Sequence, residues 1–447
     1  MSNRVAIVGG GITGLAAAWE FSRRQPDTEV TVFESDRLGG KLQASPFAGL
    51  ANVDEGADAF LARVPWGRQL CDELGLDDLV APATGRAYIW HRGQLHRIPD
   101  GLVLGVPAGL LGLLRSRLLS PGGIVRAAYD LVRSETPPDH DSLGRTIRDR
   151  FGDEVLERLV DPLVGSINAG DADQLSLRAS TPQIAEPAMN SRSLLFALRR
   201  QRSKAPDEGP IFLAPRNGMS SLASTVAERL RVGHTNLVTG QRVLSVERDS
   251  NRWRVNDEVF DRVILTTPAD TTARLVAGAS PDAAKALTGI PYAGVVMVAL
   301  HVAKPVGPIG SGYLVPKPVQ RHVTATSLAS YKWAHWRPPG GGAILRVSLG
   351  RFGNQLPMDF DDAQAAHTAI DEVGGHLGTQ LVPLGYRVTR WHRAFPQYLP
   401  HHNDRVDAIE QLLRRDCPGL VVAGAAFRGV GVPACIRQAR EAARAVA

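Results

Sequence analysis

The sequence predicts a mixed α/β protein whose first unit is a Rossmann-like nucleotide-binding domain. An apolar run at Arg4–Val8 leads into the motif G-x-G-x-x-G over residues 9–14. A second apolar run at residues 30–33 ends at Glu34, 20 residues after Gly14. Strand, glycine turn, helix, strand and acid in this order are typical of a dinucleotide-binding βαβ unit.

Each glycine of the motif has a separate predicted role. Gly9 permits the sharp turn, Gly11 lets the backbone approach a pyrophosphate, and Gly14 lets the helix pack closely on the strand. The helix start presents free N–H groups and a partial positive charge to the phosphates. Glu34 is expected to accept hydrogen bonds from the ribose hydroxyls.

The remaining chain is predicted to form a helical insertion, a second sheet and two returns to the nucleotide domain. Strand signals lie near residues 241–246 and 253–255, in a buried run at 263–265, and at 295–302 and 344–349. The predicted division is residues 1–82 (first part of the nucleotide domain), 83–204 (mainly helical insertion), 205–288 (second part), 289–398 (sheet-containing substrate domain) and 399–447 (C-terminal part).

Two features mark the helical insertion. Ser142 can cap a helix that carries Leu143, Ile147 and Phe151. The following apolar residues over 155–163 recur at the spacing of an α-helix.

Composition indicates a cytoplasmic enzyme. Three scattered cysteines form no disulfide framework or metal motif, and no signal peptide precedes the first strand. The arginines behind the net charge of +6 are dispersed, which argues against nucleic-acid binding. Residues 102–114 are apolar but too few to span a bilayer, so we expect them in a channel or the core, with peripheral membrane contact left open.

Three further segments resemble flavoproteins of the amine-oxidase superfamily. Residues 36–41 resemble the segment R-x-G-G-R/K that meets the FAD diphosphate, and residues 54–60 resemble the stretch that runs beside the isoalloxazine. Residues 427–433 precede a helix whose start, in that superfamily, points at the pyrimidine edge of the flavin. The resemblance implies FAD as the cofactor.

Nearly the whole chain resembles the bacterial coproporphyrinogen III and protoporphyrinogen oxidases of haem synthesis. The most specific match is the run D-P-L-V-x-x-I-x-A-G-D at residues 161–171. The other matching segments are residues 54–61, 152–154, 175–177, 389–392, 396–398 and 429–433.

This resemblance implies an amine-oxidase-like fold with non-covalently bound FAD. By motif, the FAD-contacting residues would be Gly9, Gly10, Gly11, Ile12, Thr13, Gly14, Glu34, Ser35, Lys41, Gly56, Ala57, Asp58, Ala59, Val243 (through its backbone), Trp391, Val430, Gly431 and Val432. The chain departs from the family at Ala57, Ala59 and Ala434, where the family has proline, serine and aspartate. These departures weaken roles assigned to those side chains and leave the backbone contacts intact.

The implied reaction is the six-electron oxidation of a porphyrinogen by three hydride transfers to the flavin, with oxygen as acceptor and hydrogen peroxide released. The flavin carries the chemistry, so no catalytic side chain and no metal are expected. Arg86, Arg97 and Lys332 are candidates for binding the substrate propionates. Transient contact with a ferrochelatase follows from the pathway.

Several functions remain open at this stage. Coproporphyrinogen III is the leading substrate, and protoporphyrinogen IX is the close alternative. An amine oxidase or carotenoid desaturase on the same scaffold is more distant, with Trp333, Trp336 and Trp391 as an aromatic cage. A non-catalytic tetrapyrrole carrier that holds FAD structurally is the third possibility.

Overall fold

The computed structural model describes residues 3–133, 140–204, 209–233 and 235–447. The strands are Arg4–Val8, Glu29–Phe33, Ala44–Phe47, Leu50–Asp54, Phe60–Leu61, Leu79–Val80, Ala87–His91, Gln94–Arg97, Leu102–Val103, Val106–Pro107, Phe212–Pro215, Thr235–Val238, Val246–Asp249, Arg252–Val255, Glu258–Phe260, Arg262–Leu265, Tyr292–Val302, Gly312–Leu314, Val323–Ser327, Ala343–Leu349, Pro383–Pro396 and Leu420–Val422. The α-helices are Ile12–Arg24, Pro65–Leu74, Leu111–Ser116, Pro121–Ala128, Leu143–Phe151, Asp153–Val155, Ser166–Asn168, Leu177–Ser180, Pro182–Asn190, Leu194–Lys204, Ser220–Val232, Ala269–Val276, Pro281–Thr288, Ala329–Lys332, Asp362–Leu377, His402–Asp416 and Val432–Ala445. A π-helix spans Leu156–Gly165, and short 3₁₀ turns lie at Tyr129–Leu131, Lys317–Val319, Ala334–Trp336 and Leu356–Asp359.

A five-stranded parallel sheet forms the nucleotide domain. Its order is Thr235–Val238, Glu29–Phe33, Arg4–Val8, Arg262–Leu265 and Leu420–Val422. The strands are apolar and largely buried because helices cover one face of the sheet, and helices together with a three-stranded antiparallel sheet over residues 246–260 cover the other. Three distant parts of the chain thus build one sheet, and the predicted Rossmann-like domain is confirmed.

A seven-stranded sheet forms the second layer of the molecule. Its order is Pro383–Pro396, Tyr292–Val302, Ala343–Leu349, Val323–Ser327, Gly312–Leu314, Ala87–His91 and Gln94–Arg97. The helix Asp362–Leu377 packs on this sheet through Ala365, Ala369 and Val373. The sheet and the nucleotide domain meet at residues 54–58, where the functional site lies.

The segment predicted to be mainly helical begins with strands. Ala87–His91 pairs in parallel with Gly312–Leu314, and Gln94–Arg97 closes the sheet as its edge strand. Helices follow from Leu111, and their apolar faces share one core. Residues 87–97 are a short stretch with an alternating pattern. The prediction of a mainly helical segment follows from the longer helical pattern beyond it.

Two local predictions also differ from the structure. Residues 241–245 have no regular structure, and the strand begins at Val246. The run over residues 155–163 is helical but mostly a π-helix, which contains Pro162. Proline has no N–H and clashes with the carbonyl one turn back, so the regular α-helical pattern cannot continue through it.

The apolar run 102–114 packs mainly inside the helical part of the molecule. Val106, Ala108 and Leu113 are buried in its core, whereas Leu111 and Leu114 are exposed. In the described parts of the chain, every helix is too short or too polar to traverse a bilayer.

Candidate flavin site

Two glycine turns meet at the carboxyl end of the strand Arg4–Val8. Gly39 N donates to Gly10 O at 2.8 Å, and Gly11 pairs with Gly39 as an isolated parallel bridge. A Cβ atom on Gly40 would lie 3.1 Å from the Gly11 Cα. The two motifs, separated by more than 20 residues in the sequence, therefore form one continuous backbone surface.

The glycines of the first motif are required for different reasons. A Cβ on Gly14 would lie 1.9 Å from Gly9 O, and Gly9 itself has φ +111°. A Cβ on Gly11 would have the Gly40 Cα as its nearest neighbour among the described residues, at an ordinary contact distance of 3.9 Å. Gly9 and Gly14 thus serve the protein's own packing, whereas Gly11 leaves its Cβ side open to a ligand.

The helix Ile12–Arg24 begins without a capping side chain. Its N-cap is Gly11, and Leu15 N is the first amide bonded back to it, at 3.0 Å. The preceding amides therefore point out of the helix start, where a pyrophosphate would be bound.

Glu34 lies on the other side of the backbone surface that the two glycine turns form. One carboxylate oxygen accepts from Gly10 N at 2.8 Å, and the other accepts from Asp36 N at 2.9 Å and from the Ser35 hydroxyl at 3.2 Å. These bonds fix the carboxylate, and its remaining lone pairs can accept ligand hydroxyls. Val243 is buried two residues after Gln241, whose amide donates to Glu34 O.

Lys41 extends from the second glycine turn toward the seven-stranded sheet. Its Nζ donates to Ala394 O at 2.5 Å, so one of its three N–H donors is bound to the sheet rather than facing the first turn. The side chain is accessible to solvent but surrounded by protein, as in a deep cleft, and burial lowers its pKa to about 8. Lys41 thus carries a readily lost proton inside the site.

Gly56 lies against the backbone of Lys41. A Cβ at Gly56 would be 2.6 Å from Lys41 O and 3.6 Å from the Trp391 ring. The buried Arg346 donates to Gly56 O, and the Trp391 Nε1 donates to Glu55 O at 3.2 Å. Residues 54–58 are therefore fixed from both sides, and only glycine fits at position 56.

Asp58 is held by two cations and an indole. Lys332 Nζ lies 2.8 Å from its carboxylate, Trp333 Nε1 donates to it at 3.1 Å, and Arg346 lies at 3.4 Å. Although burial opposes ionisation, Lys332 and Arg346 lower the pKa of Asp58 to about 2. Asp58 is thus ionised. Of its neighbours, Ala57 is exposed and Ala59 packs against the core of the nucleotide domain.

Asp54 is a second carboxyl beneath the same segment. It is almost completely buried, and its Oδ1 accepts from Met219 N at 2.8 Å. Its Oδ2 is buried with no hydrogen-bond partner among the described residues. Burial raises the pKa of Asp54 to about 7, which the nearby Arg346 offsets in part.

An apolar wall adjoins Gly56. Ala169, Ala293, Val295 and Ala394 form a small buried cluster. The partly buried side chains that pack on it are Trp391, Met297, Phe352 and Phe395. Ala169 belongs to the run 161–171, whose Asp161 pairs with the buried Arg351 at 2.7 Å. The helical part of the molecule is thereby fixed to this wall.

The C-terminal helix completes the site. It begins at Val432 with Gly431 as N-cap, and a proline follows in its first turn. Burial raises the pKa of the Cys435 thiol, which lies beside Thr13 and Lys41. The start of this helix therefore adjoins the start of Ile12–Arg24.

Comparison with known proteins identifies the family of the chain and the cofactor of that family. The family model of flavin-containing amine oxidoreductases matches residues 12–447. The chain belongs to this family. It is 32% identical to a coproporphyrinogen III oxidase of Bacillus subtilis and 34% identical to one of Mycobacterium bovis, in each case over 98% of this chain and 96% of the relative. The crystal structure of a putative protoporphyrinogen oxidase from Exiguobacterium sp. 255-15 superimposes with a TM-score of 0.88 at 29% identity, over 100% of this chain and 99% of that one.

The protein is accordingly an FAD-dependent oxidoreductase with an amine-oxidase-like fold. The residues present fit this cofactor: Gly11 leaves room for the pyrophosphate, an uncapped helix start faces it, and a fixed carboxylate stands beside it. The predicted cofactor and family are confirmed.

The three predicted propionate ligands lie in different places. Lys332 is paired with Asp58 beneath the flavin segment. Arg97 lies on the edge strand with Asp100, and Arg86 is exposed at the start of the neighbouring strand. The strands that carry Arg97 and Trp391 are the two edges of the seven-stranded sheet, with five strands between them. The three cations lie on separate elements, and their binding of propionates stays a prediction.

Sequence reasoning missed the residues that support the site from behind. Arg346 lies within a strand, and its guanidinium donates to Gly56 O. Asp54 and Tyr398 lie in segments that the family resemblance already marks, but the sequence does not predict that they accept from Met219 N and Gly429 N. No spacing rule connects residues that far apart in the chain. The one available signal for Arg346 is its position as the single charged residue of the strand Ala343–Leu349.

Proposed function

We propose that this flavoenzyme oxidises coproporphyrinogen III to coproporphyrin III. The observation that carries the proposal is the near end-to-end similarity to coproporphyrinogen III oxidases. The run 161–171, which resembles that family, contributes Ala169 to the apolar wall. A flat tetrapyrrole matches a wall of aromatic and aliphatic side chains beside the flavin segment. Bound FAD supplies a two-electron acceptor for the reaction.

The overall stoichiometry requires three oxidation rounds. Six electrons and six protons leave one porphyrinogen, and three molecules of oxygen accept them as three molecules of hydrogen peroxide. The protein's part is to bind the macrocycle against Trp391 and Phe352, exclude water, and hold it in reacting distance. Lys41, whose Nζ donates to Ala394 O, would present a positive charge beside the bound cofactor.

The FAD-contacting set predicted from the sequence remains part of the proposal. The glycine turns and Glu34 would bind the adenosine diphosphate half, and residues 56–59, Trp391 and Val430–Val432 would surround the ring. The five-part domain division is also proposed. Its one change is that residues 87–97, at the start of the helical insertion, lie in the seven-stranded sheet. A cytoplasmic location and transient delivery of product to a ferrochelatase are proposed with it.

Protoporphyrinogen IX is the second candidate substrate, since the structural relative from Exiguobacterium carries that activity in its name. Parallel oxygen-consumption assays with both porphyrinogens decide between them. We expect a higher kcat/KM for coproporphyrinogen III, with peroxide formed in proportion to oxygen used. A clear preference for the two-propionate substrate would transfer the proposal to protoporphyrinogen IX.

The distant alternatives have less support. Trp333 and Trp336 are buried, and the Trp333 indole donates to Asp58, so they do not form an open aromatic cage with Trp391. Turnover of polyamines without turnover of either porphyrinogen would favour an amine oxidase instead. A carrier function predicts that porphyrinogen binds without reducing the flavin.

A further inference from the structure

The loop that leads into the C-terminal helix has unusual backbone geometry. It runs from the end of strand Leu420–Val422 to Val432, and both Gly424 and Gly429 have φ above +120°. The helix start at Gly431 has no capping side chain of its own. The position of this helix start therefore depends on what holds the loop.

The hydroxyl of Tyr398 bridges the loop. It donates to Ala425 O at 2.6 Å and accepts from Gly429 N at 2.8 Å. The side chain is almost fully buried, and burial raises the pKa of Tyr398, so the hydroxyl keeps its proton. One hydroxyl thus bonds both a carbonyl and an amide of the loop.

His402 supports the same loop from the next element. Its ring stacks on Tyr398 with centroids 3.9 Å apart and an angle of 18°, and its Nε2 lies 2.8 Å from Phe427 O. Because a carbonyl only accepts, Nε2 carries the proton. Burial lowers the pKa of His402 to about 4, so the ring is neutral at neutral pH.

The position of this loop affects the residues that are predicted to contact the cofactor. Gly429 is followed by Val430–Val432, and Cys435 Sγ lies 4.0 Å from the carbonyl oxygens of Gly429 and Val430. The same thiol lies beside Thr13 at the start of the pyrophosphate-binding helix. A shift of Gly429 would therefore move the start of Val432–Ala445 relative to the flavin.

We propose that Tyr398 is a positioning residue that holds the start of the helix Val432–Ala445 against the flavin and thereby sets the reduction potential of the bound FAD. The helix start carries a partial positive charge, which stabilises negative charge on the reduced ring when the distance is short. The proposal deepens the proposed function and rests on its placement of Val430–Val432 beside the ring.

The test is Tyr398→Phe, which keeps the ring and its stacking but removes both hydrogen bonds. The potential of the bound flavin is measured with a chemical reductant and a reference dye, without any porphyrinogen. We expect the equilibrium constant for two-electron reduction to fall about tenfold, equivalent to a potential about 30 mV lower. The rate of flavin reduction by substrate should fall, with KM unchanged.

Tyr313→Phe is the matched control. Tyr313 is equally buried and bonds His376 at 3.2 Å, but it lies within the seven-stranded sheet. We expect this variant to keep the wild-type potential. A wild-type potential in Tyr398→Phe, or the same shift in both variants, would overturn the proposal.

A second measurement covers the case in which Tyr398→Phe does not retain FAD. Hydrogen exchange of the Gly429 amide in the wild-type holoenzyme should be slow, because Tyr398 accepts from it in a buried setting. Rapid exchange would overturn the proposal. Failure of porphyrinogen to reduce the wild-type flavin would instead refute the proposed function, since the potential is measured without that substrate.

Discussion

Alanine substitutions at Gly11 and Gly14 should separate ligand binding from packing in the first glycine motif. At Gly11 the added Cβ has the Gly40 Cα at 3.9 Å as its nearest described neighbour, and the backbone is extended with φ −72° and ψ 178°. Alanine adopts this conformation without strain. The gain of about 0.4–1 kcal/mol through the unfolded state and the poorer N-cap preference of alanine oppose each other, so the stability of the apoprotein should change by less than about 1 kcal/mol.

At Gly14 the outcome should be the opposite. The Cβ would lie 1.9 Å from Gly9 O, and an ordinary contact begins at 3.4 Å, so helix and strand must separate by about 1.5 Å. Forced shifts of this kind in a packed core cost about 1–3 kcal/mol or more. Gly14→Ala should therefore destabilise the apoprotein itself.

The assay combines calorimetry of the apoproteins with titration by FAD. We expect Gly11→Ala to unfold at the wild-type temperature and to bind FAD at least about tenfold more weakly, a loss of about 1.4 kcal/mol. Gly278→Ala, where a Cβ meets no described atom within 4 Å, is the control for both measurements. Wild-type FAD affinity in Gly11→Ala would refute the assignment of its open side to the cofactor.

The remaining predictions concern the charges around the site. The pKa of Asp58 is lowered to about 2, so its ionisation contributes about 2 kcal/mol of stability. This contribution is present above pH 4 and is lost as the pH falls toward 2. Urea unfolding of Asp58→Asn should lack this acid-dependent loss, and an unchanged pH profile would contradict the pairing with Lys332. The pKa of Asp54 is raised to about 7, so the folded state binds an extra proton between pH 4 and 7. The free energy of unfolding therefore declines as the pH rises through that range. Asp54→Asn should flatten the decline, measured by the same unfolding series. Arg97→Ala should change KM for porphyrinogen less than about twofold because its strand and the Trp391 strand are opposite edges of the seven-stranded sheet. A rise of tenfold or more would support Arg97 as a propionate ligand.

Much of the nucleotide domain is predictable from the sequence because its determinants are local. The motif over residues 9–14 and Glu34 lie within one βαβ unit, and the structure places them as that unit requires. The same holds for Ser142, which caps its helix by accepting from Arg145 N at 3.3 Å. Short-range spacing and capping chemistry suffice for such features.

The contacts that hold residues 54–58 in place are not predictable, because they join residues that lie far apart in the sequence. Arg346 reaches Gly56 across 290 positions, and Lys332 reaches Asp58 across 274. The sequence predicts a substrate ligand at Lys332, but a lone basic residue gives no sign of its pairing with Asp58. Likewise, residues 87–97 join a sheet whose other strands begin beyond residue 291, which no local pattern reveals.

The most direct test of the proposed oxidation is anaerobic mixing of the holoenzyme with coproporphyrinogen III, followed by the visible absorption of the flavin and the fluorescence of the product. We predict that the flavin bleaches at substoichiometric porphyrinogen and that oxidised coproporphyrin appears, with as many as three flavins reduced for each molecule of substrate. Flavin that stays oxidised while porphyrinogen binds would contradict this prediction and the proposed function with it.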